Sequence, residues 1–135
     1  MKRSPIRRHP PKPRADANPE YLEWLRSWPC YVCFSRWCKA NHLPIAGVLP
    51  AARAVTVNWS LKQCGPTEAA HSGVRGLGQK CPDAEAIPLG RKHHQEGPEA
   101  QHRVGLGWFD LVDLNRNEVF ETLHALYRRE TGKDV

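Results

Sequence analysis

Apolar residues recur at helical spacing near both ends of the chain. The segment NPEYLEWLRSWPC predicts a short helix with Asn18 as its N-cap, Pro19 at its first position and Pro29 as its stop. The segment NRNEVFETLHALYRRE predicts a helix close to the C-terminal end. The apolar face of this second helix is formed by Val119, Phe120, Leu123, Leu126 and Tyr127.

The pattern between these helices changes several times. Residues 34–63 show no clear helical period, and AVTVNWSL within them alternates in the way that predicts a strand. PTEAAHSG and EAIPL predict two short strands of a hairpin, joined by a glycine-rich loop. GRKHHQEG then begins a helix that Gly97 and Pro98 interrupt. These elements predict an α+β fold.

The chain of 135 residues is expected to form one domain preceded by an arm. It has no run of eighteen apolar residues, and its beginning lacks the apolar region of a secretory signal. We therefore expect no membrane span and an intracellular, cytoplasmic location.

Basic charge is concentrated at the start of the chain, while from Asp16 onward 14 basic residues balance 14 acidic ones. The basic residues of the first fifteen are Lys2, Arg3, Arg7, Arg8, Lys12 and Arg14. Prolines are also frequent there, so residues 1–18 are predicted to be a disordered basic arm and residues 19–135 the folded domain. Such an arm binds the phosphate backbone of nucleic acid or serves as a solubilising tail or targeting signal.

Five cysteines in a chain without a secretory signal favour metal binding over disulfides. Cys30 and Cys33 form a Cys-x-x-Cys pair, which can hold one Zn²⁺ if two further ligands complete a tetrahedron. The candidates for those ligands are Cys38, Cys64, Cys81, His42 and His93. A compact site would use Cys38 and His42, and a site completed from the hairpin would use Cys64 and His93. The competing interpretation is a set of reduced core cysteines.

Three histidines follow the second predicted strand. His93 and His94 would point about 100° apart on a helix, so they are suited to two different sites. The break at Gly97 and Pro98 would let the chain bring His102 back beside His94.

The string PTEAAHSGVRGLGQKCPDAEAIPLGRKHHQEGPEAQHRVG resembles the core of the ββα-metal (HNH-type) nucleases. The similarity is to the version in phage and prophage proteins related to the RecA-dependent recombination-enhancement nuclease. YLEWLRSWPCYVC also resembles the lead-in of that family. The resemblance covers residues 19–112 except 34–63, which is interpreted as an insertion.

The resemblance implies a role for each matching residue. His71 would be the general base, and Asp83 would orient it or support the metal site. His94 and His102 would bind a catalytic divalent ion, Mg²⁺ or Mn²⁺, with Zn²⁺ as a further choice. A structural zinc would be held by the remaining matching residues, Cys30, Cys33 and His93.

Two positions depart from the family pattern. Gly90 stands where the family commonly has a zinc-binding cysteine, so Cys64 is the preferred fourth ligand and Cys38 the second choice. Ala70 stands where many nucleases of this fold place a metal-binding acid, although the related phage proteins share this alanine.

The resemblance implies a small DNA endonuclease of low sequence specificity, acting in phage recombination or DNA processing in a bacterial host. The expected partners are DNA and a RecA-type recombinase filament, and the oligomeric state is left open. Outside the arm, the basic residues expected to contact DNA are Arg75, Lys80 and Arg103. The alternative is a non-catalytic, zinc-dependent DNA-binding module.

Overall fold

A computed structural model describes residues 17–48, 50–73 and 81–135 of the chain. Residues 1–16 of the predicted disordered arm, among them Lys2, Arg3, Arg7, Arg8, Lys12 and Arg14, lie outside these residues, as do Arg75 and Lys80. Within the described ranges the structure combines helices with one antiparallel two-stranded sheet, which confirms the α+β prediction. The elements in chain order are α1 (Pro19–Arg26), α2 (Tyr31–Ala40), α3 (Pro50–Cys64), β1 (Thr67–His71), β2 (Ala86–Gly90), α4 (Gln101–Val104), α5 (Trp108–Leu111) and α6 (Arg116–Thr131).

Helix α1 begins as its sequence predicts. The Asn18 side chain accepts a hydrogen bond from the Tyr21 N–H, and Pro19 occupies the first turn, where its missing N–H is not needed. The helix ends at Arg26, ahead of the predicted stop at Pro29. Tyr21 and Leu25 are fully buried, so α1 is attached to the core by its inner face.

The Cys-x-x-Cys pair lies at the beginning of α2. Cys30 is the N-cap of this helix, and Cys33 belongs to its first turn. The Cys30 N–H donates a hydrogen bond to Ser60 Oγ, which holds the helix start against α3.

The prediction of a strand within residues 54–61 is wrong, because these residues belong to α3. The side chains that α3 buries follow one another at four-residue spacing and are Thr56, Ser60 and Cys64. Its Val55 and Trp59 are exposed. A helix that buries small polar residues and exposes apolar ones lacks the usual helical period of hydrophobicity, which explains the error.

The predicted hairpin is confirmed. Strands β1 and β2 pair in antiparallel register, with Thr67 opposite Gly90 and His71 opposite Ala86. Every residue of β2 is buried, since the strand contacts α1, α2, α3 and α6. The sheet therefore fixes the position of His71 at the end of β1.

The chain after β2 makes an unusual helical turn. Residues Lys92–Glu96 form a short π-helix, which ends at Gly97 as the sequence predicts. A π-helix inserts an extra residue in each turn, so neighbouring side chains are aimed differently than on an α-helix. Short helices α4 and α5 follow, separated by Gly105 and Gly107, both of which have positive φ.

Helix α6 closes the core. It runs from its Asn115 N-cap to Gly132, which has the left-handed conformation of a helix C-cap. Its predicted apolar face is buried, and the helix contacts β2 and the short 3₁₀ turn Asp83–Glu85. Among the described residues no helix is long and apolar enough to cross a membrane.

Candidate functional site

Four side chains form a compact cluster between α2, α3 and the π-helix. The ligand atoms of Cys30, Cys33, Cys64 and His93 all lie within 4.8 Å of one another. The distances from His93 Nδ1 to the sulfur atoms of Cys30, Cys33 and Cys64 are 3.4, 3.7 and 3.1 Å. Ligands around a tetrahedral zinc ion are about 3.5 Å apart, given zinc bonds of about 2.0–2.3 Å. The cluster can therefore hold a zinc ion.

The position of Cys64 explains the glycine at position 90. A Cβ atom added to Gly90 would lie 2.5 Å from Cys64 Sγ and 2.7 Å from Cys64 Cβ. Cys64 thus occupies the space that a side chain at position 90 would need. The end of α3 supplies a thiol to the cluster at the point where strand β2 supplies none.

Hydrogen bonds within the cluster favour a negative charge on Cys64, whereas burial, together with contacts to Cys33 and Cys64, raises the pKa of the Cys30 thiol well above its usual range. Contacts with Cys30 and Cys33 lower the pKa of the Cys64 thiol far below its usual range. Burial by itself would lower the pKa of His93, but hydrogen bonds with Cys33 and Cys64 raise it to about 10. Because the thiolate is the metal-binding form of cysteine, this environment suits a bound cation.

A carboxylate supports the histidine of the cluster from its other side. The distance from Glu99 Oε2 to His93 Nε2 is 3.4 Å, and Arg36 donates a hydrogen bond of 3.1 Å to the same oxygen. The Trp108 indole N–H donates to the Glu99 backbone carbonyl. Such outer contacts fix the orientation of a metal-binding histidine.

His94, next along the chain, faces a different partner. Its Nε2 atom lies 3.0 Å from Nε2 of His102, and the two rings meet edge to face. Its Nδ1 atom lies 3.1 Å from Oε1 of Glu68 on β1. Burial lowers the pKa of His94, which favours the neutral imidazole that binds metals. The π-helix therefore directs His93 and His94 into two separate groups of side chains.

His71 is held by a buried acid. Its Nε2 atom lies 2.8 Å from Asp83 Oδ1, while Asp83 Oδ2 accepts a hydrogen bond of 2.7 Å from the Asn18 backbone N–H. Asp83 is only 2% exposed. The short turn that carries it is fixed by His124, whose Nε2 lies 2.6 Å from the Ala84 carbonyl oxygen. Asp83 therefore fixes the His71 imidazole through Nε2, which leaves Nδ1 for other contacts.

His71 and His102 border the same cleft. The cleft has a volume of about 940 Å³, and its wall also includes Gln101 and Arg116. Gln101 donates a hydrogen bond to Ser72 Oγ, which ties α4 to the end of β1. The structure thus brings the predicted base and one predicted ligand of the catalytic ion to one surface, with Asp83 and His94 behind them.

Several predicted or alternative residues lie elsewhere. Cys38 is buried, but it is not part of the four-residue cluster, and neither are Cys81 and the exposed His42. Arg103 is exposed on α4, next to His102. The small side chain of Ala70 is buried in β1, so the carboxylate near the histidine pair comes instead from Glu68.

Sequence reasoning missed the residues that support the predicted ligands and base. Glu68, Ser60 and Asn18 act through contacts with residues between 26 and 65 positions away, whereas Glu99 lies close to His93 along the chain. The position of a single carboxylate or hydroxyl along the chain does not indicate which distant residue it contacts. Glu68 and Glu99 both lie in the string that carries the family resemblance, but neither was assigned a role there.

Comparison with known protein families, curated proteins and solved structures finds no match to this chain.

Proposed function

We propose that this protein is a metal-dependent endonuclease that hydrolyses phosphodiester bonds in DNA, on a small ββα-metal (HNH-type) core. The observation that supports this most is the meeting of two groups at one cleft. His71, held by Asp83, lines it, and so does His102 of the pair formed with His94. Phosphodiester hydrolysis needs a base for the attacking water and a cation near the leaving oxygen.

His71 is the proposed general base. With its Nε2–H donating to the Asp83 carboxylate, its Nδ1 carries a lone pair that can take a proton from water. The oxygen of that water forms a bond to phosphorus, and the bond from phosphorus to the 3′-oxygen breaks. Asp83 keeps the imidazole oriented and stabilises the imidazolium that forms.

His94 and His102 are the proposed ligands of the catalytic divalent ion, Mg²⁺ or Mn²⁺, with Zn²⁺ as the further choice. Their two Nε2 atoms face each other, so both lone pairs can be directed at one ion. When bound, the ion supplies Lewis acidity that stabilises negative charge on the phosphate and on the leaving 3′-oxygen. Water molecules and the phosphate would complete its coordination.

The cluster of Cys30, Cys33, Cys64 and His93 is the proposed structural zinc site. The ion would join the start of α2, the end of α3 and the π-helix. It would thereby fix the orientation of the π-helix, which carries His93 and His94. A zinc site with four protein ligands has no open coordination position, which is typical of a structural role.

Arg103 and the basic residues outside the described ranges are the proposed DNA contacts. Contacts of lysine and arginine with phosphate give binding that is independent of sequence and falls with salt. We place the activity in phage DNA recombination or processing in the cytoplasm of a bacterial host, with a RecA-type filament as a further partner.

The decisive experiment is plasmid cleavage by the full chain with Mg²⁺ or Mn²⁺, alone and with a RecA-type filament on the DNA. Wild-type protein is expected to nick or cut the plasmid, and His71→Ala is expected to be about 10²- to 10⁴-fold slower, the usual contribution of a general base. His42→Ala, an exposed histidine outside the cleft, serves as the matched control. Absence of cleavage under every condition would contradict the proposal.

One observation favours the alternative, a non-catalytic zinc-dependent DNA-binding module. Among the described residues, only the Cys30, Cys33, Cys64 and His93 set groups three or more metal-binding side chains closely enough for one ion. This alternative predicts DNA binding that falls steeply with salt, survives His71→Ala and gives no cleaved product.

A further inference from the structure

The proposed reaction does not use the carboxylate of Glu68. It lies in β1, three residues before His71, and its side chain is 27% exposed. Its Oε1 atom lies 3.1 Å from His94 Nδ1. The nearest guanidinium, that of Arg91, is 3.9 Å from Oε2, so the contact with His94 is the closer of the two. Gln95 donates a longer hydrogen bond of 3.4 Å to Oε1.

A carboxylate beside one nitrogen of an imidazole decides which nitrogen carries the proton. Neutral imidazole has one N–H, and a carboxylate can only accept, so the proton is held at the nitrogen that faces the carboxylate. In His94 that nitrogen is Nδ1. Nε2 is left with its lone pair, and this is the atom that faces His102 at 3.0 Å.

We propose that Glu68 is a positioning residue for the histidine pair: it holds His94 as the Nδ1–H tautomer and thereby presents Nε2 to a divalent cation. This inference rests on the proposed function, because it assigns a role in that same metal site. Glu68 is not placed as a ligand itself, since its carboxylate contacts the nitrogen of His94 on the opposite side from His102.

The neighbouring histidine shows the same arrangement with the nitrogens exchanged. His93 turns Nδ1 toward the cysteines, and its Nε2 lies beside the carboxylate of Glu99. Two consecutive histidines thus each have a carboxylate on the nitrogen that points away from their cluster. The placement of the acid, and not the histidine alone, determines which nitrogen can bind a cation.

The inference can be tested on the full chain by two measurements that do not depend on cleavage. The first is ¹⁵N NMR of the histidine imidazoles, which reports the tautomer of His94. The second is the affinity for Mn²⁺, measured from the signal of free Mn²⁺ by electron paramagnetic resonance. The variants are Glu68→Ala, Glu68→Gln and, as the matched control, Glu96→Gln, a carboxylate that lies 3.9 Å from the same Arg91.

The expected results follow from the chemistry of each side chain. Wild-type His94 is expected to be the Nδ1–H tautomer, and Glu68→Ala is expected to mix the two tautomers and weaken Mn²⁺ binding about 10- to 100-fold. Glu68→Gln keeps an oxygen that accepts from Nδ1–H, so a smaller loss is expected. Glu96→Gln is expected to bind Mn²⁺ as the wild type does. Cobalt bound at the cysteine cluster, read from its thiolate absorption, checks that each variant is folded.

Three outcomes would overturn the inference: an Nε2–H tautomer in the wild type, an Mn²⁺ affinity that Glu68→Ala leaves unchanged, or an Mn²⁺ affinity that Glu96→Gln lowers as much as Glu68→Ala does. Failure of the proposed function gives a different result. If the tautomer and the Mn²⁺ affinities behave as expected but no DNA is cleaved, the endonuclease proposal falls and the positioning role of Glu68 stands.

Discussion

The cysteine cluster and the histidine pair each take one histidine from the same π-helix, yet they differ in what surrounds them. The cluster has four candidate ligands, and its three cysteines are buried. The pair has two candidate ligands, and His102 is exposed at a cleft. A closed set of four ligands suits an ion that holds a structure together, whereas an incomplete set suits an ion that also binds water or substrate.

This difference shows how one short segment, the π-helix, can supply ligands to two sites. His93 and His94 are adjacent, so an ordinary α-helix would separate their directions by about 100°. The π-helix and the break at Gly97 let His94 meet His102 while His93 stays with the cysteines. The two sites are therefore geometrically dependent, although their proposed tasks differ. The following changes test that relation, from the largest expected effect to the smallest.

Removal of a cysteine from the cluster is expected to have the largest effect. Cys33→Ser takes away one of four ligands, and binding of a structural zinc contributes many kcal/mol of folding free energy in small domains. We expect a loss of several kcal/mol in the free energy of unfolding and weak zinc retention, measured by chemical denaturation and elemental analysis. Cys38→Ala, which removes a buried cysteine outside the cluster, should keep its zinc. Equal zinc loss in both variants would contradict the assignment.

Removal of a histidine from the pair should separate the two sites. His102→Ala leaves the cysteine cluster complete, so zinc content and folding are expected to be unchanged. Metal-dependent cleavage should fall at least about a hundredfold, because a direct ligand is lost. Plasmid cleavage and elemental analysis on the same sample check both parts. With Mg²⁺ or Mn²⁺ as the ion at the pair, zinc loss in His102→Ala would show that the two sites are not separable in this way.

The space shared by Gly90 and Cys64 gives a third test. In Gly90→Ala the new methyl group would lie 2.5 Å from Cys64 Sγ, so we expect the free energy of unfolding to fall by about 1–3 kcal/mol. The double variant Gly90→Cys with Cys64→Gly moves the thiol from α3 to β2. It is expected to recover zinc binding that Cys64→Gly alone lacks. Failure to recover zinc would mean that a thiol at position 90 cannot reach the cluster.

The carboxylate behind the cluster should have the smallest effect. Glu99→Gln removes the charge beside His93 Nε2 but keeps a hydrogen-bond acceptor, so zinc affinity is expected to fall about tenfold, the low end for such outer contacts. Competition with a chelator measures this change. Glu23→Gln, an exposed partner of Arg26, is the control and should have no effect. A larger loss than in Cys33→Ser would reverse the proposed order of importance.

The parts of the fold that were predictable from sequence bury apolar residues at a regular spacing. Helix α6 and the hairpin follow that rule, and both are observed. Helix α3 does not, because the face it turns inward carries Thr56, Ser60 and Cys64. Of these, Ser60 accepts a hydrogen bond from the start of α2 and Cys64 belongs to the cluster. Its local pattern therefore predicted a strand, whereas its contacts with the rest of the fold stabilise a helix.

The candidate site likewise contains some residues that the sequence predicted and others that it did not. Its histidines and the Cys-x-x-Cys pair were found because their residue types and spacing are informative. The placement of Cys64 was predicted only as a preference, since a gap at Gly90 does not say which distant thiol fills it. Glu68 and Glu99 were not found, because a carboxylate that supports a histidine is recognised only when the two atoms are seen close together.

The position of Cys64 at the end of α3 also bears on the unfolded chain. Cys30 and His93 are 63 residues apart, and Cys64 and His93 are 29 apart. An ion bound by all of them would close long loops, and the entropy that an open chain loses on closure grows with the logarithm of loop length. Such an ion would act like a cross-link that restricts the denatured ensemble. Helix α3, whose own sequence does not favour burial of an apolar face, would then be retained in the fold by the loop that its last residue closes.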